Sequence, residues 1–232
     1  IYETAGKKTL AMTGAPEVLL SRCQYYFKNG VAAPWTTNIK KHFESEITSL
    51  SQQGLRVIAY ACAEEPAINT DQDNLPPLTF GGLLAMRDVL RPNIKESIER
   101  ARSLGITIIM ITGDHAITAK TIAGQAGIYA PGDEIITGDE LDAMDAAAMT
   151  ERFPKATVFA RVTPEHKMKI IEDYRRRGEI IAMTGDGVND APSLVAADLG
   201  IAMGKIGTEV AKEASDMVLM DDNFSDILGA IE

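Results

Sequence analysis

From about residue 80 onward, apolar runs and amphipathic runs alternate with little variation. Phe80–Met86 reads as a strand, and Pro92–Leu104 follows the helical period with a proline in its first turn and Gly105 at its end. Ile106–Ile111 is apolar apart from Thr107, the mark of a strand covered on both faces. His115–Ala126 reads as a helix closed by Gly127. After a looser stretch the pattern predicts strand Thr157–Arg161, helix Pro164–Arg177, strand Glu179–Met183 and helix Asp190–Ala196. Strand Leu199–Met203, helix Thr208–Ala214 and strand Met217–Met220 complete the series. Strands alternating with helices imply βαβ units, so the fold class is α/β with a doubly wound parallel sheet.

The chain before residue 80 is less regular. It predicts a helix near Pro16–Leu20, a helix around Thr37–Gln53 and a strand at Arg56–Cys62, together a partial α+β domain. Glu64–Thr79 is rich in Pro, Asn and Asp and reads as a linker, which divides the chain into residues 1–79 and 80–232. No internal repeat is present at the usual solenoid periods.

Charge sharpens this division. Up to Thr79 there are 7 basic and 8 acidic residues, against 16 and 25 beyond it, so nearly all of the net charge of -10 lies in the second part. An acid excess argues against a partner bound by phosphate neutralisation, so no nucleic acid is expected. It is compatible with a phosphate substrate bridged by Mg²⁺. At 45% hydrophobic and 24% charged residues the composition is that of an ordinary globular protein. Cys23 and Cys62 cannot make a disulfide framework and are expected as two buried thiols. No stretch reaches the roughly 18 apolar residues of a membrane-spanning helix. The chain opens on Ile1 in a strand-like pattern, which predicts a piece of something longer.

In a doubly wound sheet ligands bind at the carboxyl ends of the strands. Two such ends carry nearly the same word, Ile111-Thr112-Gly113-Asp114 and Met183-Thr184-Gly185-Asp186. Glycine permits a tight turn with amides facing an anion, threonine adds a hydroxyl donor, and aspartate offers a metal ligand. The second word continues Gly187-Val188-Asn189-Asp190, a hard-oxygen set suited to Mg²⁺. The bland alternative makes Asp186 a helix cap and Asp190 an exposed side chain. A third copy, Thr137-Gly138-Asp139, reads as a helix start with Asp139 as the cap. Lys167 follows Thr163 and Pro164 into a helix, where a cation opposes the dipole and suggests a phosphate to neutralise. His166 reads as a surface or packing residue, and Trp35 with the few tyrosines forms no base-stacking platform. Thr13-Gly14-Ala15-Pro16-Glu17 and Gly54-Leu55-Arg56 read, on their own, as turn chemistry with amides and a cation at hand.

Taken together, these words resemble the P-type cation-transporting ATPases, and among them the P2-type group that carries Ca²⁺ and related ions. The matching segments are TGAPE (13–17), GLRVIAYA (54–61), MRDVLRP (86–92), MITGDHAITA (110–119), ARVTPEHKMKII (160–171) and MTGDGVNDAPSL (183–194). The resemblance implies that residues 1–79 are the C-terminal part of a nucleotide-binding domain. It implies that residues 80–232 are most of a haloacid-dehalogenase-like phosphorylation domain. In that family an aspartate attacks the γ-phosphate of ATP, and hydrolysis of the aspartyl phosphate drives a cation across the membrane. Carried over, Asp186 is the Mg²⁺ ligand, and Thr112 and Gly113 hold phosphate oxygens. Lys167 neutralises the phosphoryl group, Asn189 and Asp190 order the site, and Asp114 sits beside the cluster. Gly14, Ala15 and Arg56 lie near the nucleotide and Arg161 reaches its phosphates. The cofactors implied are ATP and Mg²⁺, and the place implied is the cytoplasmic face of a membrane.

Three departures stand out. The family's nucleophile word, Asp-Lys-Thr-Gly-Thr, does not occur in the 232 residues, and the resemblance places it upstream of Ile1. Thr13 stands where the family has an ATP-contacting lysine, and a hydroxyl does not replace that charge. The hinge word Asp-Pro-Pro-Arg reads Asp88-Val89-Leu90-Arg91. Alternatives are a stand-alone nucleotide- or Mg²⁺-binding relative without turnover, and a phosphatase of the same fold that also lacks its nucleophile strand.

Overall fold

The computed structural model describes residues 2–4, 7–64, 76–87 and 89–231. It divides into two compact units, 1–89 and 90–232.

In the first unit β1 (Tyr2–Thr4) and β2 (Lys7–Gly14) lead into α1 (Pro16–Arg22). Then come β3 (Cys23–Lys28), β4 (Val31–Pro34), α2 (Thr37–Gln52), β5 (Arg56–Glu64) and β6 (Leu78–Met86). They form one six-stranded sheet in the order β1-β2-β5-β6-β3-β4, antiparallel except where β3 runs parallel to β6. The β3–β4 hairpin closes over Asn29 and Gly30, both at positive φ (53° and 80°), the combination that matches the strand twist. Leu19, Leu20, Ala59, Ala61, Leu78 and Phe80 form the core, and Trp35 stacks on Phe43 at its margin (centroids 5.7 Å apart, planes 8° apart). Trp35 is therefore a packing residue.

This sheet moves the expected boundary. The strand read at Phe80–Met86 begins at Leu78 and is an interior strand of the first unit, paired with β5 through Arg56↔Met86 and with β3 through Tyr26↔Phe80. A cut between residues 79 and 80 would pass through it; the units divide after Val89 instead. Most of the expected linker (residues 65–75) and Asp88 of the hinge word lie outside the described residues.

Cys23 and Cys62 are both buried, on strands that flank β6 on opposite sides. Burial, with the neighbouring Cys62 adding to it, pushes the Cys23 thiol up to about 11. A thiol-reactive dye at pH 8 is expected to label neither cysteine until the chain is unfolded in urea, because attack requires an accessible thiolate. Labelling of the folded chain would contradict this burial.

The second unit contains α3 (Ile94–Ser103), β7 (Met110–Ile111), α4 (Ala116–Ala126), β8 (Glu134–Thr137), α5 (Gly138–Ala143) and α6 (Ala146–Arg152). It continues with β9 (Ala156–Ala160), α7 (Pro164–Arg176), β10 (Ala182–Gly185), α8 (Ala191–Ala196), β11 (Leu199–Met203), α9 (Glu209–Glu213), β12 (Met217–Leu219) and α10 (Ser225–Ile231). The strands make two parallel three-stranded sheets, β7-β9-β8 and β10-β11-β12. Helices cover both faces of each. Ile98, Ala119 and Ala123 pack on Val158 and Ala160 from one side of the first sheet, while Leu141, Phe153 and Ile170 pack on Phe159 from the other. Ile171, Leu194 and Ala211 cover one face of the second sheet and Ile227 the other. Helix α7 joins the two, sending Ile170 into one core and Ile171 into the other.

Local chemistry differs from the pattern in two places. Of the predicted strand Ile106–Ile111 only Met110 and Ile111 pair, with Val158 and Phe159 of β9. At the third TGD word the cap is Thr137 and not Asp139. The Thr137 hydroxyl accepts from the Glu140 amide, and the Glu140 carboxylate accepts from the Thr137 amide at 2.8 Å, a reciprocal box that leaves Asp139 exposed.

Candidate functional site

The loops after β7, β9, β10 and β11 leave the carboxyl ends of their strands and are tied to one another. Thr112 donates its amide to the Phe159 carbonyl (2.9 Å), and Val162 donates back to the Thr112 carbonyl (3.2 Å). Arg161, at φ 57°, donates its amide to the Asp114 carbonyl (3.1 Å). A long side chain in the left-handed region is costly, and such residues gather at sites whose surroundings impose the conformation. In the β7 loop the Thr112 hydroxyl accepts from the Asp114 amide at 3.1 Å, which leaves its proton to be donated elsewhere. Gly113 is exposed, and its amide makes no hydrogen bond among the described residues.

From the β9 loop, Thr163 caps α7 and Pro164 occupies its first position. Lys167 extends from that first turn to Asp190, its Nζ donating to one carboxylate oxygen of the aspartate. The second oxygen accepts from the amides of Gly187 (3.0 Å) and Asp186 (3.3 Å). Burial alone would raise the Asp190 carboxyl. The Lys167 hydrogen bond and charge, with the two amides, outweigh it and hold the group below the ordinary carboxylate range.

This arrangement corrects the expectation for the second TGD word. The amides of Asp186 and Gly187 do not face outward to an anion; the anion they hold is Asp190. Gly185 serves close approach, since a Cβ there would lie 2.5 Å from the Asp190 Cβ. Asp190 is buried and Asp186 is exposed, so the carboxylate available to a metal is that of Asp186, which makes no ion pair among the described residues. The Asp186 carbonyl accepts from the Thr208 amide at 2.8 Å, at the cap of α9. Asn189 is exposed in the 3-10 turn Val188–Asp190.

Among the described residues no three His, Cys, Asp or Glu side chains cluster as a metal cage. A preformed cage is not what Mg²⁺ requires: it binds one or two carboxylates and completes its shell with water and substrate phosphate. The exposed Asp186 carboxylate is an oxygen ligand of the kind that Mg²⁺ takes, with water and substrate phosphate completing the shell.

The structure thus brings Thr112, Asp114 and Arg161 together through their backbones, and Lys167, Asp186 and Asp190 through side chains and amides. Gly14, Ala15 and Arg56 lie in the first unit, at one end of its sheet. There Gly14 pairs with Ala59, the Ala15 carbonyl starts α1 by accepting from Val18 and Leu19, and Arg56 opens β5. A Cβ at Gly14 would meet nothing within 4 Å, so the turn does not demand glycine there.

Residues 1–93 match the family described as P-type ATPase, cytoplasmic domain N. Along nearly its whole length the chain is also similar to calcium-transporting ATPases. It is 42% identical to calcium-transporting ATPase 1 of Yarrowia lipolytica over 226 residues, 96% of this chain and 24% of that protein. The corresponding protein of Bacillus cereus is 45% identical over 220 residues, 94% of this chain and 25% of the relative. The human calcium-transporting ATPase type 2C member 1 is 42% identical over 221 residues, 95% of this chain and 23% of the relative.

The chain is P-type Ca²⁺-ATPase-like. It spans about a quarter of the length of the curated relatives it matches. Among the described residues of this Ca²⁺-ATPase-like chain no helix is long and apolar enough to cross a membrane. Of the two readings of His166, surface or packing, the structure supports the second, since the side chain is buried; what sequence reasoning missed is its place in a helix cap. Its signal was the spacing Thr163-x-x-His166, a capping box with histidine in the place of Glu or Gln.

Proposed function

We propose that this chain is the catalytic cytoplasmic segment of an ATP-driven cation pump that works through an aspartyl phosphate. The observation that carries the proposal is the division of labour at the β10 loop. Lys167 and two amides fix Asp190, and this leaves the Asp186 carboxylate exposed at the strand end.

In this reading Lys167 neutralises the phosphoryl group, Thr112 and Gly113 hold its oxygens, and Asn189 and Asp190 order the site with Asp114 beside it. Arg161 reaches the phosphates of ATP, and Gly14, Ala15 and Arg56 of the first unit lie near the nucleotide. Asp186 would hold Mg²⁺, which supplies charge neutralisation as negative charge moves onto the leaving phosphate oxygen. The two sheets are the halves of one doubly wound, haloacid-dehalogenase-like sheet. Its central strand, carrying the nucleophilic aspartate, enters from sequence outside these residues between the β7 and β10 edges. Supporting this, β7 and β10 each pair on one side only among the described residues. The calcium in the relatives' names is proposed as the transported ion, and the cytoplasmic side of a membrane as the location.

The test is Mg²⁺ binding by calorimetry in the intact chain and in Asp186→Ala. The variant is expected to keep its circular dichroism and to bind Mg²⁺ at least about tenfold more weakly, because a direct carboxylate ligand is lost. Equal binding would remove Asp186 from the metal site. Immunoblots of native extracts test the larger claim: a band much larger than this chain, pelleting with membranes, is expected, and a water-soluble band of this size would overturn it.

A further inference from the structure

We propose that His166 is a positioning residue: as a neutral ring protonated at Nε2, it closes the first turn of α7 and so aims Lys167 at Asp190. The geometry fixes the tautomer. His166 Nδ1 lies 3.1 Å from the Thr163 amide nitrogen, and a backbone amide can only donate, so Nδ1 is the acceptor and carries no proton. The proton is on Nε2, which donates to an Asp142 carboxylate oxygen at 2.9 Å. In return the His166 amide donates to the Thr163 hydroxyl at 3.3 Å, completing the box.

The ring is held in place from a third direction. It lies over Gly138, the first residue of α5, where a Cβ would come within 2.9 Å of both Cε1 and Nδ1 and within 2.3 Å of the Arg161 carbonyl oxygen. The start of α5, the strained Arg161 and the start of α7 thus meet at one imidazole. Immediately after it, Lys167 makes the first helical hydrogen bond, to the Thr163 carbonyl (3.2 Å), and its side chain pairs with Asp190.

A capping box ordinarily uses Glu or Gln, whose acceptor oxygen persists at any pH above the carboxylate range. Histidine accepts only while neutral. When Nδ1 gains a proton, two donors face each other, the bond to Thr163 is lost and the turn that carries Lys167 loosens. The charged groups that face the ring are Asp142 from α5, at 2.9 Å, and Glu165 from α7 itself, while the neighbouring Lys167 is turned to Asp190.

The proposal rests on the reading of Lys167 as the phosphoryl-neutralising cation. Its test reads the turn directly, without phosphate or turnover, so the two can fail separately. In the ¹⁵N-labelled chain at pH 8, His166 is expected to show an unprotonated Nδ1 and a protonated Nε2. As pH falls through the range in which that ring titrates, hydrogen exchange at the Thr163 amide, relative to its intrinsic rate, should accelerate roughly fivefold to tenfold, the usual worth of a cap. The Asp190 carboxyl carbon should shift over the same range, above the one in which Asp190 itself titrates.

In His166→Gln, whose amide oxygen accepts at every pH, both signals should stay flat; in His166→Ala exchange should be fast throughout. Protonation at Nδ1 in the native chain, or an Asp190 signal indifferent to the His166 titration, overturns the proposal. If His166→Ala does not fold, the native chain and His166→Gln still decide it.

Discussion

Replacing Lys167 by Met is expected to destabilise the second unit by about 3 kcal/mol at pH 7, near the lower end of the cost of breaking a buried ion pair. The lysine and aspartate side chains are 16% and 11% exposed, so water does little to compensate Asp190 when its partner is removed. The loss stays at the low end because the Gly187 and Asp186 amides still hold one oxygen. The pH dependence identifies the cause. In the native protein Asp190 is held below the unfolded carboxyl value, so its contribution is present above about pH 4 and is lost as pH falls through the folded value. In the variant, burial is left as the dominant influence and the folded value rises, so the carboxyl becomes neutral in mild acid. The stability gap should therefore be widest near neutrality and should narrow toward pH 4. Urea unfolding followed at second-unit amides measures it. A gap independent of pH would mean that the loss is one of packing and not of charge.

Gly185→Ala should cost about 2–3 kcal/mol and should act through the same carboxylate. An alanine Cβ at 2.5 Å from the Asp190 Cβ and 3.0 Å from its Cγ cannot coexist with the present side-chain position. Overpacking of this kind displaces one of the two groups. β10 is fixed by its pairing to β11, from Ala182↔Leu199 to Gly185↔Ala202, so the aspartate is the group that moves, away from Lys167 and from the amides. The two substitutions should then be non-additive, with the double variant well short of the sum of the singles. Full additivity would show that Asp190 keeps its pair with Lys167 when Gly185 gains a methyl group.

How much of this was legible in the sequence depended on which physical signal each element carried. The second unit's helices and strands follow strong periodicities, and Leu199–Met203 falls where the pattern puts it because a fully covered strand is simply a short apolar run. The strands of the first unit are half-buried, with exposed residues such as Tyr25 and Phe27 among them, and give no clean alternation. The Asn29–Gly30 turn was the available signal there. At the site, residue types and spacing pointed to Lys167, Asp186 and Asp190. They did not say that Asp190 would turn inward onto the loop's own amides, because that depends on where α7 places a lysine 23 residues earlier in the chain. The box at Thr163 escaped notice for a simpler reason: histidine at its third position is an acceptor in only one of its protonation states.

The order of the first sheet has a consequence for how the chain is made. β6 is the last strand of its unit to be synthesised, yet it lies in the interior, between β5 and β3. Until residue 86 has left the ribosome, β1-β2-β5 and the β3–β4 hairpin are separate pieces with facing apolar edges and nothing to join them. The non-local pairing of Cys23 with Leu78 then closes a loop of more than fifty residues, a slow step compared with making the hairpin. A translational pause after β5 has emerged but before residue 86 does would hold the nascent chain in its most aggregation-prone form, whereas a pause after residue 86 has emerged would give the sheet time to close.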